Sequence, residues 1–183
     1  MTQSMLWRRL DSPGHDACCL IDNGHGWQLE GTAVFRTETG AHAQLVYQVV
    51  CDRAWVSRRG CVRGLIGDQR IELTIGHGPH GLWSVNDEAV DDLEGLVDLD
   101  LAFTPATNLL ALRRLALAEG SSADAPAAWL DLASRSLVAL PQRYQRIAPT
   151  LYDYDAPSVP YHAQLEVTPE GFIRRYPGLW EMA

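Results

Sequence analysis

Lysine is missing from this chain: all 15 of its cationic residues are arginine, set against 23 acidic residues for a formal net charge of −8. An acidic surface has no basic stripe to neutralise phosphates, which excludes a nucleic-acid role and leaves an anionic membrane repelled. Arginine in place of lysine favours bidentate anion contacts where it is selected, but biased coding composition explains it more cheaply. No apolar run approaches the length of a membrane span. Residues 1–10 hold only Met5 and Leu6 before Trp7-Arg8-Arg9, short of the apolar core of a secretory signal. The expected location is therefore the cytoplasm, with no stable membrane insertion.

Cysteine is scarce and badly placed for bridging. Cys18 and Cys19 are neighbours that a strand would point to opposite faces. Cys51 and Cys61 flank a turn at Asp52-Arg53, where a tight hairpin sets Cys51 near Ala54 and leaves Cys61 beyond the ~7 Å Cα limit of a disulfide. Four free thiols are expected. Catalytic signatures are missing too. There is no Gly-x-Ser-x-Gly elbow and no His-Glu-x-x-His, and Ser12-Pro13-Gly14-His15-Asp16 reads as a turn, since a triad is assembled in space. His25, His77 and His80 sit in Gly-rich turns without a converging third ligand, so no metal and no cofactor is expected. No helix follows Gly76 to Gly81 to make that turn a phosphate cradle.

What is present is period-two alternation, broken by turn residues about every ten positions, the pattern of an antiparallel meander. Trp27, Leu29, Gly31, Ala33 and Phe35 share one face, as do Leu45, Tyr47, Val49 and Cys51; a run follows at Ala54 to Val62. Ile71, Leu73 and Ile75 oppose Arg70, Glu72 and Thr74, and Val97, Leu99, Leu101 and Phe103 oppose Asp98 and Asp100. Each run has one wet and one dry face. Further runs are expected at Trp129 to Ala133, Leu137 to Ile147, Leu151 to Asp155, Tyr161 to Val167 and Phe172 to Tyr176, with an exposed loop at Gly120 to Pro126. The length suits one well-buried core, hence one domain over residues 1–183. The fold class is mainly β: a single curved antiparallel sheet, a spiral roll or incomplete barrel, with one or two short helices. Thr104-Pro105 suits an N-cap and first helical residue. A helical turn is expected from Pro105 to Leu109, while Leu110 to Ala118 fits helix or strand equally.

Asp98 and Asp100 would stand about 6.5–7 Å apart on one strand face, overlapping the carboxylate gap of inverting glycosidases. Standing side by side, they fit a solvated face better than an acid/base pair. If buried they need a cation, and Arg113 and Arg114 are the nearest in sequence.

Trp7-Arg8-Arg9-Leu10-Asp11-Ser12-Pro13-Gly14, then Val97-Asp98-Leu99-Asp100 with Thr104-Pro105-Ala106-Thr107-Asn108 and Arg113-Arg114-Leu115, and finally Tyr176-Pro177-Gly178-Leu179-Trp180 resemble, in order and over almost the whole chain, the bacterial putative glycolipid-binding family. The chain departs from that pattern after Asn108, where Leu-Leu-Ala-Leu replaces Thr-Leu-Pro-Ile. The resemblance implies a spiral β-roll like the half-open sheets of bacterial lipoprotein and glycolipid carriers, wrapped around an apolar cavity.

The resulting expectation is noncatalytic binding of an amphipathic ligand, a lipid or glycolipid, in an apolar trough with polar groups at its mouth. Asp98, Asp100, Thr107 and Asn108 are the candidates for head-group hydroxyls, Arg113 and Arg114 for an anionic group, and Trp27, Phe35, Tyr176 and Trp180 for the walls. The alternatives are a small hydrolase acting through Asp98 or Asp100, and a structural domain that self-associates through a sheet face.

Overall fold

A computed structural model describes residues 2–183; Met1, where the N-terminal reading begins, lies outside the described residues. Eight strands come first: β1 (Thr2–Arg9), β2 (Gly14–Asp22), β3 (Gly26–Arg36), β4 (His42–Asp52), β5 (Ser57–Ile66), β6 (Gln69–His77), β7 (Trp83–Val85) and β8 (Glu88–Val90). Then come β9 (Asp98–Leu101), the helix α1 (Asn108–Leu115), β10 (Ser122–Asp124), β11 (Ala127–Asp131) and β12 (Ser136–Leu140). The chain ends with β13 (Arg143–Ala148), β14 (Leu151–Ala156), β15 (Tyr161–Val167), β16 (Ile173–Tyr176) and β17 (Trp180–Met182).

Fourteen of these strands form one curved antiparallel sheet in the order β10, β13 to β17, then β1 to β8. Its edges, β10 and β8, do not meet, so the roll stays open. The chain ends are stitched in its middle, with Trp7 opposite Met182 and Arg9 opposite Trp180. That pairing is non-local and had no counterpart in the alternation pattern. Period two does set the faces of β2 to β6. Leu29, Ala33, Leu45, Val49, Ile71 and Ile75 are buried, while Glu30, Thr32, Val46, Arg70 and Glu72 face outward.

The roll is not an empty trough. A second sheet of three strands, β12-β11-β9, fills it, with β9 parallel to β11 and β11 antiparallel to β12. The expected curved open sheet is the outer roll, and this inner layer is an addition that the expectation does not contain. Leu99, Leu101, Ala128 and Leu130 pack into the larger core with Trp7, Leu29, Leu45 and Ile75. A second core gathers Ala111 and Leu112 of α1 with Tyr144, Tyr152, Tyr154 and Leu165 of the outer strands. β9 comes so close to β5 that a Cβ added at Gly60 would lie 2.6 Å from Leu99 Cδ2 and force that side chain to shift. Likewise, a Cβ at Gly31 would overlap the Tyr47 ring.

Covering both faces of β9 overturns the expectation of a wet face there. Asp98 is 2% exposed. The helix differs as well: it begins at Asn108 rather than Pro105, with Thr107 at the N-cap, and ends where Ala116 turns left-handed (φ 44°). Residues 104–107 form a lead-in turn instead, in which the Thr104 hydroxyl accepts the Ala106 N–H at 3.0 Å. Residues 109–112 are helical, which resolves the helix-or-strand ambiguity of that stretch.

Elsewhere, residues 53–56 make a four-residue loop, so Cys51 pairs with Ser57 rather than facing Ala54, and the strand that follows starts at Ser57. The run from Leu137 to Ile147 breaks at Pro141 into β12 and β13, and the loop at Gly120 to Pro126 contains the edge strand β10. All four cysteines are free. Among the described residues no helix is long and apolar enough to cross a membrane.

Candidate functional site

Six of the ten sequence candidates converge on the inner face of β9 and α1. Alternation sends Leu99 and Leu101 to the larger core and Asp98 and Asp100 to the opposite side, facing α1 and the tyrosine-rich strands. Arg114 closes on Asp98 with two bonds, Nε to Oδ1 at 2.8 Å and Nη2 to Oδ2 at 2.6 Å. Bonding to Asp98 holds the Arg114 guanidinium above the usual arginine range. Both carboxylate oxygens are thereby engaged, and the sequence-nearest cation proves to be the partner, in a bidentate geometry lysine could not make.

Asp100 is bound more weakly. The Thr107 hydroxyl donates to it at 3.4 Å, while that same oxygen accepts the Leu101 N–H at 3.3 Å. The residue keeps some accessible surface although protein surrounds it. Burial, outweighing the Thr107 bond and joined by the nearby Asp98 charge, pushes its carboxyl up to about 7. Asn108 reaches the other way and donates to the Tyr144 hydroxyl at 2.9 Å. Tyr144 and Tyr154 both donate to Gln142 Oε1, at 3.4 and 2.8 Å. Tyr176 meets Tyr154 and Tyr161 edge-on at ring distances of 5.8 and 5.2 Å. Burial first, and the Tyr154 charge second, hold the Tyr176 hydroxyl well above its ordinary range.

The remaining four candidates lie apart. Trp27 stacks on Trp55 at 4.5 Å, and Arg113 lies over the far face of that pair, 5.2 Å from the Trp55 ring. Phe35 stacks on Phe103 at 6.1 Å, and Arg9 sits over both Phe35 and Trp180. Arg113 and Arg114, adjacent in sequence, thus serve different neighbourhoods, as a helix requires of residues 100° apart.

Another buried carboxylate lay hidden in what reads as a turn. Asp16 is wholly buried and accepts hydrogen bonds from Tyr47 at 3.0 Å and Thr104 at 2.5 Å, while its Oδ1 has no partner among the described residues. Burial outweighs these bonds and pushes its carboxyl up to about 6. The signal was there: Asp16, Cys18 and Leu20 alternate on the dry face of β2, whereas Ser12 and His15 point elsewhere. The histidines form no centre either. His77 stacks on Trp83 at 4.3 Å and bonds the Ser57 carbonyl, and among the described residues no group of three or more ligating side chains gathers.

With the interior filled, open space remains at one end of the roll. A pocket of 620 Å³ lies between the β3–β4 and β5–β6 hairpin tips and the ends of β9 and β11. Phe35, Phe103, Ile66, Ile71, Leu132 and Trp129 give it apolar walls, while Glu38, Asp68, Asp131, Arg9 and Arg135 stand around them. Ala102 and Trp129 line it, and Asp100 is one rank deeper on that face, directly opposite Trp129. A larger depression of 830 Å³ lies on the outside of β1 to β6, over Glu30, Gln48, Arg59 and Arg63.

Comparison with known proteins agrees with this architecture. A DUF1089 family protein of Pseudomonas aeruginosa, known from a crystal structure, superposes with a TM-score of 0.81 at 27% identity, over 96% of this chain and 94% of that one. No curated protein matches. The family model described as "Putative glycolipid-binding" matches residues 4–182. A match over nearly the whole length, joined to the shared open roll, places the chain in that putative glycolipid-binding family.

Proposed function

We propose that the chain, acting as one domain, binds an amphipathic ligand, a lipid or glycolipid, in the pocket at the open end of the roll and does no covalent chemistry on it. The observation that carries this reading is the pocket itself: 620 Å³ with aromatic and aliphatic walls and a charged surround. That combination suits a ligand with one apolar and one polar part, and the family's description supports it. Phe35 serves as a wall, as the sequence indicates, with Trp180 behind it beneath Arg9. Asp100 and Thr107 wait one rank deeper for a hydroxyl, and Tyr176 packs among the tyrosines of that side. Asp98, Arg114 and Asn108 spend their hydrogen bonds inside the protein, so their role in this reading is to fix β9 and α1. Trp27 and Arg113 brace the opposite end.

Binding is preferred to hydrolysis because Asp98 gives both oxygens to Arg114 and the hydroxyl that Asp100 meets is that of Thr107, a bond at 3.4 Å. Displacement of an environment-sensitive acyl probe tests the proposal. Saturable binding is expected, with Leu132→Glu weakening it about tenfold, the cost of a charge against an apolar chain. Absence of saturable binding would reject it. A dimer through the outer face, where Leu6, Val34, Val46 and Leu65 are exposed, is the second reading; sedimentation as a monomer would end it.

A further inference from the structure

The chain has six tryptophans, and five of their rings are covered. Trp7 meets Phe172, Trp27 and Trp55 stack on each other, Trp83 stacks on His77, and Arg9 lies over Trp180. Trp129 alone has neither an aromatic nor a cationic partner among the described residues. Its position is not accidental. Alternation on β11 puts Trp129 and Asp131 on one face, so the ring leans on the second core with one side and lines the 620 Å³ pocket with the other. The Trp129 indole N–H makes no hydrogen bond among the described residues, unlike those of Trp7 and Trp83, which bond the Ile173 and Leu96 carbonyls.

Charge around that ring is unbalanced. Glu38, Asp68 and Asp131 line the same pocket as Arg9 and Arg135. Arg9 is neutralised by a two-bond contact with Asp11, Nε to Oδ1 at 2.7 Å and Nη2 to Oδ2 at 2.9 Å, so three carboxylates face the one remaining positive charge, that of Arg135, which bonds the neutral Gln69 at 2.6 Å. Asp131 is held below the usual carboxylate range by its bonds from Ser134 and Ala133, so it remains an acceptor at every physiological pH. A pocket of this sign repels phosphate, sulfate and carboxylate, and offers carboxylate oxygens to hydroxyl donors.

We infer that the pocket is a subsite for a neutral sugar ring: the apolar face of a pyranose lies on Trp129, its hydroxyls donate to the surrounding carboxylates, and its alkyl tail runs toward Phe35 and Phe103. This rests on the amphiphile-binding reading above and narrows it to uncharged glycosides over anionic lipids. A stacked ring gains from contact with an aromatic face, and a desolvated hydroxyl gains from a charged acceptor.

The test is calorimetric titration of the intact protein with three probes below their micellar concentrations: octyl glucoside, octyl phosphate and octanol. Octyl glucoside is expected to bind at least about tenfold more tightly than octyl phosphate. Trp129→Leu, which keeps an apolar side chain without a platform, should weaken octyl glucoside about five- to tenfold while leaving octanol within about twofold. Glu38 and Asp68 are at hairpin tips, where a change leaves the core alone, so Glu38→Arg with Asp68→Arg should reverse the preference toward octyl phosphate. If octyl phosphate binds the unaltered protein as well as octyl glucoside does, or Trp129→Leu changes nothing, the sugar assignment is overturned and amphiphile binding stands. If none of the three probes binds, both fall together.

Discussion

Buried ionisable groups set the behaviour of individual residues. Cys18 and Cys51 are buried, and desolvation pushes both thiols up to about 12, whereas Cys19 and Cys61 keep part of their surface. Thiolate is the reactive form. A thiol reagent at pH 8 should therefore titrate two cysteines quickly in the native protein and four in denaturant; four fast thiols in the native state would contradict the packing. Asp16 and Asp100 titrate in the folded protein near 6 and 7, above the unfolded value of 3.8. The folded state then binds more protons than the unfolded one between those values. Their contribution is fully present below pH 4 and is lost as pH rises through 6 and 7, on the order of 3 kcal/mol for Asp16 and 4 kcal/mol for Asp100 at full deprotonation. Urea unfolding should show wild type losing stability from pH 4 to pH 7, and Asp16→Asn should flatten that slope. An unchanged slope in the variant would remove Asp16 from the account.

At the scale of elements, the meander from β2 to β6 was legible because each strand buries one face against a core and wets the other, which period two encodes directly. β9 broke that rule for a physical reason. Its alternation was real, but the polar face meets α1 and the tyrosine strands instead of water, and only Arg114, thirteen residues past Leu101, makes the burial of Asp98 tolerable. The helix starts later than Thr104-Pro105 suggests because Thr104 spends its hydroxyl on Asp16 and on a lead-in turn. The pattern marks Trp129 only as the start of a strand, since nothing local separates an open tryptophan from a buried one; for Asp100, Phe35 and Tyr176 it points to the residue, while only the fold supplies the neighbours. The close approach of β5 to β9 gives a direct check. Gly60→Val should cost about 1–3 kcal/mol by overpacking, and measurably less in a Leu99→Ala background, where the colliding methyl is gone. Additive costs in that double-mutant cycle would mean that the strands do not touch there.

For the whole molecule, an open fourteen-strand sheet has an interior too wide to fill with its own side chains, and the inner sheet with α1 fills it. The filling stops short of the end framed by the β3–β4 and β5–β6 hairpins, leaving a pocket. The family's description, "Putative glycolipid-binding", accords with the proposal made above, which seats a ligand at the end of the roll and not along its axis. The most direct measurement is a ¹H–¹⁵N NMR titration with octyl glucoside below its micellar concentration. Saturable shifts are expected at the Trp129 indole, at Phe103 and Leu132, and at the hairpin tips over residues 37–41 and 66–69, with the outer face over Glu30, Gln48 and Arg63 unmoved. Shifts confined to that outer face, or none that saturate, would contradict the account.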